Sequence, residues 1–403
     1  MAQDKDSKNL NVPPLRFPGF TDEWNPTPLN QMVERVTRKN TGEESKVALT
    51  ISAQYGLVDQ ESFFNNKVAS SDLSHYYLLY KGDYAYNKSY STGYPWGAVK
   101  RLNMYDKGAV STLYICFRPF DIVDSDFIGH YFESTKWHKG VSEIAVEGAR
   151  NHGLLNIGIK DFFDTVHFIP SLTEQRKIAN LLSLIDERIA TQNKIIEDLK
   201  KLKSAIIDNI MDNSNYHRIR FEELYDKAGE GGTPSTSVSE YYTDGTIPFV
   251  KIEDLSKKYL FDSKDHITEL GLCKSSAWII PTNSIIYSNG ATIGAISINK
   301  IPVCTKQGIL GIIPKKEFDV EYLYYFMSST YFRKQVERIV TEGTMRTAYL
   351  KDINHIECPV PDYEKQIGIS QILRSFSNKI EIEQRLLTNY IQQKEYLLKS
   401  LFI

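Results

Sequence analysis

Two long amphipathic stretches constrain the fold of this chain more than any other feature. The first is residues 169–211, IPSLTEQRKIANLLSLIDERIATQNKIIEDLKKLKSAIIDNIM, and the second is residues 360–403, VPDYEKQIGISQILRSFSNKIEIEQRLLTNYIQQKEYLLKSLFI. With Pro170 placed over Pro361, the two align without a gap at an offset of 191 residues. Their apolar residues recur in steps of four and three, which is typical of a coiled-coil seam. The pattern predicts two long helices, each beginning just after its proline.

The seam positions and their interruptions are shared by the two copies. Both break the seam at the same two steps, Gln192 with Glu383 and Lys203 with Lys394. Polar residues at such positions commonly fix register rather than add stability. Two unrelated amphipathic helices are the alternative, but they have no reason to break at the same places, so we favour an internal repeat. The residues predicted to pair the helices are Ile178, Leu182, Ile185, Ile189, Ile196, Leu199, Ile206, Ile369, Leu373, Phe376, Ile380, Leu387, Tyr390 and Leu397.

The segments outside the two helices predict two globular modules of mixed α/β (α+β) structure. Runs such as KVALTISAQYGLV and NSIIYSNGATIGAISI are rich in Ile, Val, Tyr and Thr and are bounded by Gly, Asn and Pro. The modules differ in sequence while the helices are alike, which suggests that one repeated pair of helices carries two different recognition modules. The predicted boundaries are 1–168 for the first module, 169–213 for the central helix, 214–359 for the second module and 360–403 for the C-terminal helix.

Composition limits the possible classes of protein. No stretch reaches the roughly 18 apolar residues that a membrane-spanning helix needs, and the N-terminus is polar. The four cysteines are scattered, which fits a reducing cytoplasm better than a disulfide framework. A net charge of −2 disfavours nonspecific binding to nucleic acid, so any such role must come from local basic surfaces. The sequence predicts a cytoplasmic protein without membrane contact.

Motifs that would indicate catalysis are missing from the sequence. There is no G-x-x-x-x-G-K-[ST] phosphate loop and no H-E-x-x-H metal motif, and the eight histidines are dispersed. The glycine-rich GEGGTPST, residues 229–236, is interpreted as a turn rather than a phosphate cradle. We predict no catalytic residue, no metal site and no cofactor bound by this chain.

Two windows of the sequence contain no acidic residue, Tyr84–Tyr105 and Leu270–Lys316. A window of the second length should hold about six acids at average composition. Surfaces rich in Lys, Tyr, Asn, Ser and Thr suit phosphate contacts and hydrogen bonds to base edges. A buried sheet that excludes carboxylates is the alternative; it explains ILGIIP well but NKSYSTGYPW poorly.

The predicted DNA contacts follow from these windows and their flanks. In the first module they are Lys88, Ser89, Tyr90, Ser91, Tyr94, Trp96, Lys100 and Arg101. In the second they are Thr233, Ser235, Thr236, Ser237, Lys251, Tyr287, Asn289, Thr292, Lys306 and Gln307. Arg150, Asn151 and Arg346 lie in the links between module and helix, where they could contact a phosphate or cap a helix.

The chain resembles the specificity subunit (HsdS family) of type I restriction–modification systems over nearly its whole length. The resemblance rests on VPPLRFPGFTDEW near the N-terminus, on ISAQYGLVDQESFF with HYYLLYKGDYAYNKS, and on GGTPSTSVSEYYTDGTIPFVKIEDL with SSAWIIPTNSIIYSNGATIGAISI. The helix starts IPSLTEQRKIANLLSLID and VPDYEKQIGISQIL add to it. The second helix departs from the usual Glu-Gln-Lys/Arg order, with Lys365, Gln366 and Ile367 at those positions.

This resemblance implies two target recognition domains joined by antiparallel coiled-coil helices, with a pseudo-twofold internal repeat. It implies a non-catalytic subunit that binds double-stranded DNA and docks two methyltransferase (M) subunits and, in the full complex, restriction (R) subunits. S-adenosylmethionine, ATP and Mg²⁺ would then be bound by those partners, and adenine N6 would be methylated. A coiled-coil protein adaptor is one alternative. A methyltransferase or nuclease with built-in recognition is another, and it would need a cofactor motif that the sequence lacks.

Overall fold

The computed structural model describes residues 11–64, 72–145, 155–340 and 346–403. The chain divides into two compact units: unit 1 is Met1–Gln192 with Leu386–Ile403, and unit 2 is Asn193–Arg385. The divisions fall inside the two long helices rather than at the predicted module boundaries. This is because each module packs against part of both helices.

Unit 1 contains two four-stranded sheets and a two-stranded ladder. Its elements are β1 (Asn25–Pro28), α1 (Leu29–Met32), β2 (Val33–Arg35), β3 (Ala48–Ser52), β4 (Gly56–Asp59), α2 (Gln60–Phe64), β5 (Tyr77–Tyr80), β6 (Tyr84–Asn87), β7 (Ala98–Arg101), β8 (Lys107–Val110), β9 (Ile115–Pro119), α3 (Ser125–Glu133), α4 (His138–Ile144), α5 (Ile159–Asp164), β10 (Val166–Ile169) and the start of α6 (Leu172–Met211). The strand orders are β2-β9-β6-β7 and β4-β3-β8-β5, and only the β3–β8 pair among them is parallel. The antiparallel β1–β10 ladder joins the two ends of the module.

The core of unit 1 is aromatic. Tyr84 stacks on Phe117 with ring centres 5.2 Å apart, and Tyr86 stacks on Phe162 at 4.8 Å. Burial of such rings supplies a large part of the hydrophobic stabilisation of a domain. The same core includes Ile178, Leu182 and Ile185 of α6, so the helix is anchored to the module.

Unit 2 contains a five-stranded sheet, a three-stranded sheet and a second two-stranded ladder. Its elements are β11 (His217–Arg220), β12 (Tyr225–Glu230), β13 (Ile247–Val250), β14 (Tyr259–Leu260), β15 (Asp265–Ile267), α7 (Glu269–Cys273), β16 (Ile285–Ser288), β17 (Ile296–Asn299), β18 (Cys304–Thr305), β19 (Ile309–Pro314), α8 (Val320–Met327), α9 (Thr330–Ile339), α10 (Leu350–Ile353), β20 (Glu357–Val360) and the start of α11 (Tyr363–Ser400). The strand orders are β12-β19-β16-β17-β14 and β15-β13-β18. The β11–β20 ladder closes this module as β1–β10 closes the first.

The long helices run antiparallel within each unit. In unit 1 the start of α6 contacts the end of α11, where Asp186 lies 2.6 Å from Lys394. In unit 2 the end of α6 contacts the start of α11, where Lys203 donates to Ser377 at 2.8 Å. The residues predicted to pair the helices are all buried or half-buried. The predicted fold class is confirmed: two mixed modules on two long antiparallel helices, with an internal repeat.

Candidate nucleic-acid interface

In unit 2 several loops meet around one buried side chain, that of Asn289. Its Nδ2 donates to Glu230 Oε1 at 2.7 Å and to Ala348 O at 3.1 Å, and its backbone N–H donates to Gly308 O at 3.1 Å. The amide thereby ties the end of β12, the β18–β19 turn and the segment before α10 to the end of β16. Because Asn289 is fully buried, the prediction that it contacts DNA is wrong for this structure, and its role is to hold the loops.

The surface of these loops carries most of the polar residues predicted for the second module. Gln307 N–H donates to the hydroxyl of Thr233 at 3.3 Å, which joins the β18–β19 turn to the glycine-rich loop after β12. Gly231 in that loop approaches the backbone of Thr305 so closely that no side chain would fit. The exposed predicted residues here are Ser235, Thr236, Ser237, Thr292, Lys306, Gln307 and Arg346. We call this set the second-module loop surface.

Two further predicted contacts of the second module differ from expectation. Tyr287 is 1% exposed because both faces of β16 are covered, so it cannot reach a base directly, and that prediction is wrong. Lys251 is half-buried and lies 2.8 Å from Asp265 Oδ2. The hydrogen bond to Asp265 raises the pKa of Lys251 and also offsets its positive charge at the surface.

In unit 1 the polar loop between β6 and β7 is held at three points. Lys88 Nζ donates to Ile157 O at 3.1 Å, Tyr94 Oη to Ala53 O at 3.2 Å, and Tyr86 Oη to Trp96 O at 2.7 Å. Trp96 packs on the module core. The predicted residues that reach the surface on this loop are Tyr90, which is 59% exposed, and Ser91, with Ser89 half-buried beside them.

Lys100 and Arg101 do not form the basic surface that the first window predicts. Arg101 Nη2 lies 2.7 Å from Asp126 Oδ1, and Lys100 lies in a cleft of about 350 Å³ lined also by Glu133 and Asp186. Burial is the main cause of a lowered pKa for Lys100. The window is free of acids in sequence, but α3 and α6 bring carboxylates to it. Both residues are half-buried, and their role as DNA contacts stays a prediction.

Other positions complete the picture of the first module. Arg150 and Asn151 lie outside the described residues.

An exposed aromatic group that the sequence did not predict lies beside the β6–β7 loop. Ala53 O accepts the hydrogen bond from Tyr94 in that loop, and Tyr55 follows two residues later. Tyr55 is 67% exposed, and its ring contacts Phe63 at 6.4 Å between centres. The signal was the aromatic pair in DQESFF, which falls outside the acid-free window.

A cluster of charged groups joins α3, α6 and α11 in unit 1. Among the described residues, His130, Glu133 and Asp186 bring possible metal-ligand atoms within 4.8 Å of one another. However, the ammonium of Lys394 lies 2.8 Å from Glu133 and 2.6 Å from Asp186, in the position that a cation would take. Burial alone would raise the pKa of Glu133, but the His130 hydrogen bond and the Lys394 charge outweigh it and lower that pKa to about 2. The cluster is an ionic contact between helices.

Comparison with known proteins matches this architecture. Residues 213–392 match the family model of the type I restriction modification DNA specificity domain. Over 169 residues the chain is 31% identical to the type I restriction enzyme MjaIX specificity subunit of Methanocaldococcus jannaschii, covering 41% of this chain and 39% of that one. Over 167 residues it is 30% identical to the HindI specificity subunit of Haemophilus influenzae, covering 41% and 35%. The matched parts thus span less than half of either relative.

The fold has a similar counterpart among solved structures. The S subunit of a type I restriction–modification system from M. genitalium superposes with a TM-score of 0.54 at 18% identity, over 97% of this chain and 99% of that one. The part that matches the DNA specificity domain model comprises the second module and α11 up to residue 392. The chain is thus similar in sequence to type I restriction–modification specificity subunits over these matched parts, in line with the sequence resemblance.

No helix within the described ranges is both long enough and apolar enough to cross a membrane.

Proposed function

We propose that this chain is the DNA-reading, non-catalytic subunit of a type I restriction–modification complex. Each module reads one half of a bipartite, asymmetric target in double-stranded DNA, and the helices set the unread gap between the halves. One observation carries this proposal: two modules of different sequence and strand order each pack their cores on both of two long helices that repeat one apolar pattern. Two different readers on a repeated frame suit two different half-sites.

The partners are proposed from the outer faces of the helices. Ile195 and Leu202 on α6 and Ile382 and Ile391 on α11 are each at least 39% exposed, which suits a protein interface better than a solvated face. Two M subunits would dock there and carry S-adenosylmethionine, and R subunits with ATP and Mg²⁺ would join the full complex. Leu386 of α11 is half-buried and is not part of this exposed set.

The direct test is a methylome of cells that express this chain with its methyltransferase subunit. We expect one motif of two different half-sites separated by a fixed unread gap, with methylated adenine in each half. A continuous motif, or none, would contradict the proposal. Methyl transfer or DNA cleavage by the purified chain alone would favour a self-contained enzyme. Loss of DNA binding with all partners present would favour an adaptor.

The role of the helices as a spacer can be tested by an insertion. Four helix-forming residues placed between Gln192 and Asn193 lengthen α6 by about 6 Å, which is close to two base-pair steps. We expect the methylated motif to keep both half-sites and to change its gap by about two base pairs. As a control, the same insertion after Lys316, in the exposed turn between β19 and α8, should leave the gap unchanged. An unaltered gap in the helix variant would exclude the spacer role.

The second-module loop surface predicts which charges contact phosphates. Lys306 and Arg346 are exposed and form no ion pair with any described residue. Replacing either with Ala should weaken binding to all sequences alike and lower the slope of log K against log salt by about one. Lys264→Ala, which removes an exposed lysine before β15, is the matched control. Binding assays of the subunit with its methyltransferase at several salt concentrations would show this; an unchanged slope for both variants would place the phosphates elsewhere.

A further inference from the structure

Gln175, in the first turn of α6, is almost fully buried and makes two hydrogen bonds in unit 1. Its Nε2 donates to Pro170 O at 2.9 Å, and its Oε1 accepts from Asp124 N at 2.8 Å. Asp124 is itself the N-cap of α3, where its carboxylate accepts from the backbone N–H groups of Asp126 and Phe127. One amide thus joins the start of the long helix to the start of a module helix.

Gln366 makes the same two contacts in unit 2. Its Nε2 donates to Pro361 O at 2.9 Å, and its Oε1 accepts from Asp319 N at 2.9 Å. Asp319 is the N-cap of α8, accepting from Tyr322 N at 2.9 Å. Like Gln175, Gln366 is 1% exposed, so neither amide has water as an alternative partner.

A lysine holds the other end of the module helix in unit 1. Lys394 of α11 lies 2.8 Å from Glu133, the last residue of α3, and 2.6 Å from Asp186 of α6. His130 of α3 also lies beside Asp186, at 3.8 Å. The helix α3 is therefore held at its start by α6 and at its end by both long helices.

The equivalent lysine of the repeat, Lys203 of α6, holds α8 in unit 2. It donates to the hydroxyl of Ser377 of α11 at 2.8 Å, and its ammonium lies 5.1 Å from the ring centre of Tyr325 near the end of α8. Ser377 is the repeat counterpart of Asp186 in the first copy. Lys394 forms ion pairs, whereas Lys203 contacts a hydroxyl and an aromatic ring. The two lysines nevertheless occupy equivalent positions of the repeat.

We propose that these two pairs, Gln175 with Lys394 and Gln366 with Lys203, fix the orientation of each module on the long helices and thereby the gap length that the subunit accepts. The two modules share neither sequence nor strand order, so contacts that served only the stability of one module would have no reason to recur in the other. The orientation on the frame is what both modules have in common. This inference rests on the function proposed above and names the residues that set its geometry.

The test uses the complete complex of this chain with its methyltransferase subunits. After the methylome has defined the target, methylation rates are measured on DNA with both half-sites and gaps one or two base pairs shorter or longer. Gln175→Met and Lys394→Met should lower the preference for the native gap by about tenfold, the effect expected when a buried polar contact is lost. The half-sites should stay the same. Gln371→Met and Lys399→Met, at exposed positions of α11, are the matched controls.

Lys394→Arg keeps the positive charge and should keep the gap discrimination that Lys394→Met loses. A loss of discrimination caused only by a general folding defect would not depend on this charge. Thermal unfolding of each variant checks folding, and Glu133→Gln, which weakens the same contact from the module side, provides a second variant should one fail to fold. Unchanged gap preference in assembled Lys394→Met and Glu133→Gln complexes would overturn the inference. Absence of a bipartite motif in the unmodified complex would instead overturn the proposed function itself.

Discussion

Exchange of the first module for that of another type I specificity subunit should replace one half of the methylated motif and leave the other half unchanged. Each wrong base pair in a site costs about 1–3 kcal/mol, which is about 5- to 140-fold in binding for every altered position. The original half-site should therefore be lost altogether in a methylome of cells carrying the chimera. This is the largest functional effect that we expect from any change to the chain.

The structure refines where the exchange should be made. The sequence places the boundary after Phe168, but β10 continues to Ile169 and pairs there with Asn25 of β1. A junction between Ile169 and Pro170 keeps this ladder with the incoming module and leaves the Gln175 contacts with the helix. The incoming module must also present, at the position of Asp124, a capping residue whose backbone N–H can donate to Gln175.

The reciprocal exchange of the second module, residues 214–359, serves as the control for the first. It should alter the other half of the motif, and the two chimeras together should account for both halves. If one exchange altered both halves, or if neither half changed in an assembled complex, the modules would not be independent readers. Reinserting the native module through the same junction tests whether the junction itself is harmless.

The long helices were predictable because their signal is local and repeated. The seam predicted a helix after Pro170, and α6 runs from Leu172 to Met211. The repeat also predicted that Lys203 and Lys394 help to fix the register of the helices, because each lysine is the counterpart of the other. What they contact could not be predicted, since Glu133 and Tyr325 belong to the modules and lie far away in sequence.

The candidate interface was predictable in part, and the errors have two physical causes. First, strand alternation carries no information where both faces of a strand are buried, so the burial of Tyr287 in β16 was not visible in IIYS. Second, a sequence window without acids does not make a surface without acids. Asp126 reaches Arg101 through the packing of α3 on β7, a contact that no local pattern records.

Substitution of Glu321 should destabilise unit 2 more than any other single change of a charged residue that we consider. Its carboxylate is 8% exposed and accepts from Lys258 Nζ at 2.9 Å, Tyr259 Oη at 2.5 Å and the Arg374 guanidinium at 2.5 and 3.0 Å. Removing one partner of a buried ion pair typically costs about 3–5 kcal/mol, because the other charge stays buried without compensation. The Lys258 side chain is 14% exposed, so its charge would stay buried without a partner. The Arg374 side chain is 48% exposed and can be hydrated instead.

We therefore expect Glu321→Gln to lower the free energy of unfolding of unit 2 by about 3 kcal/mol, toward the lower end of that range. Hydrogen exchange measured by mass spectrometry separates the units, because peptides from β16 and α8 should exchange faster while those from β6 and β9 should not. Glu337→Gln, on the exposed side of α9, is the matched control. Equal protection in the two variants would show that the Glu321 contacts add little.

The Glu321 carboxylate also predicts how the stability of unit 2 depends on pH. Burial alone would raise the pKa of Glu321, but the hydrogen bonds from Tyr259, Lys258 and Arg374 outweigh it and lower that pKa below its ordinary value of 4.5. A carboxylate with a lowered folded pKa stabilises the fold fully above the unfolded value, and this contribution is lost as the pH falls through the folded one. Protection of unit 2 should thus decline below pH 4.5 in the unaltered chain. In Glu321→Gln the decline should be shallower, because the group that takes up the proton is gone, and an equally steep decline would assign the acid sensitivity to other carboxylates.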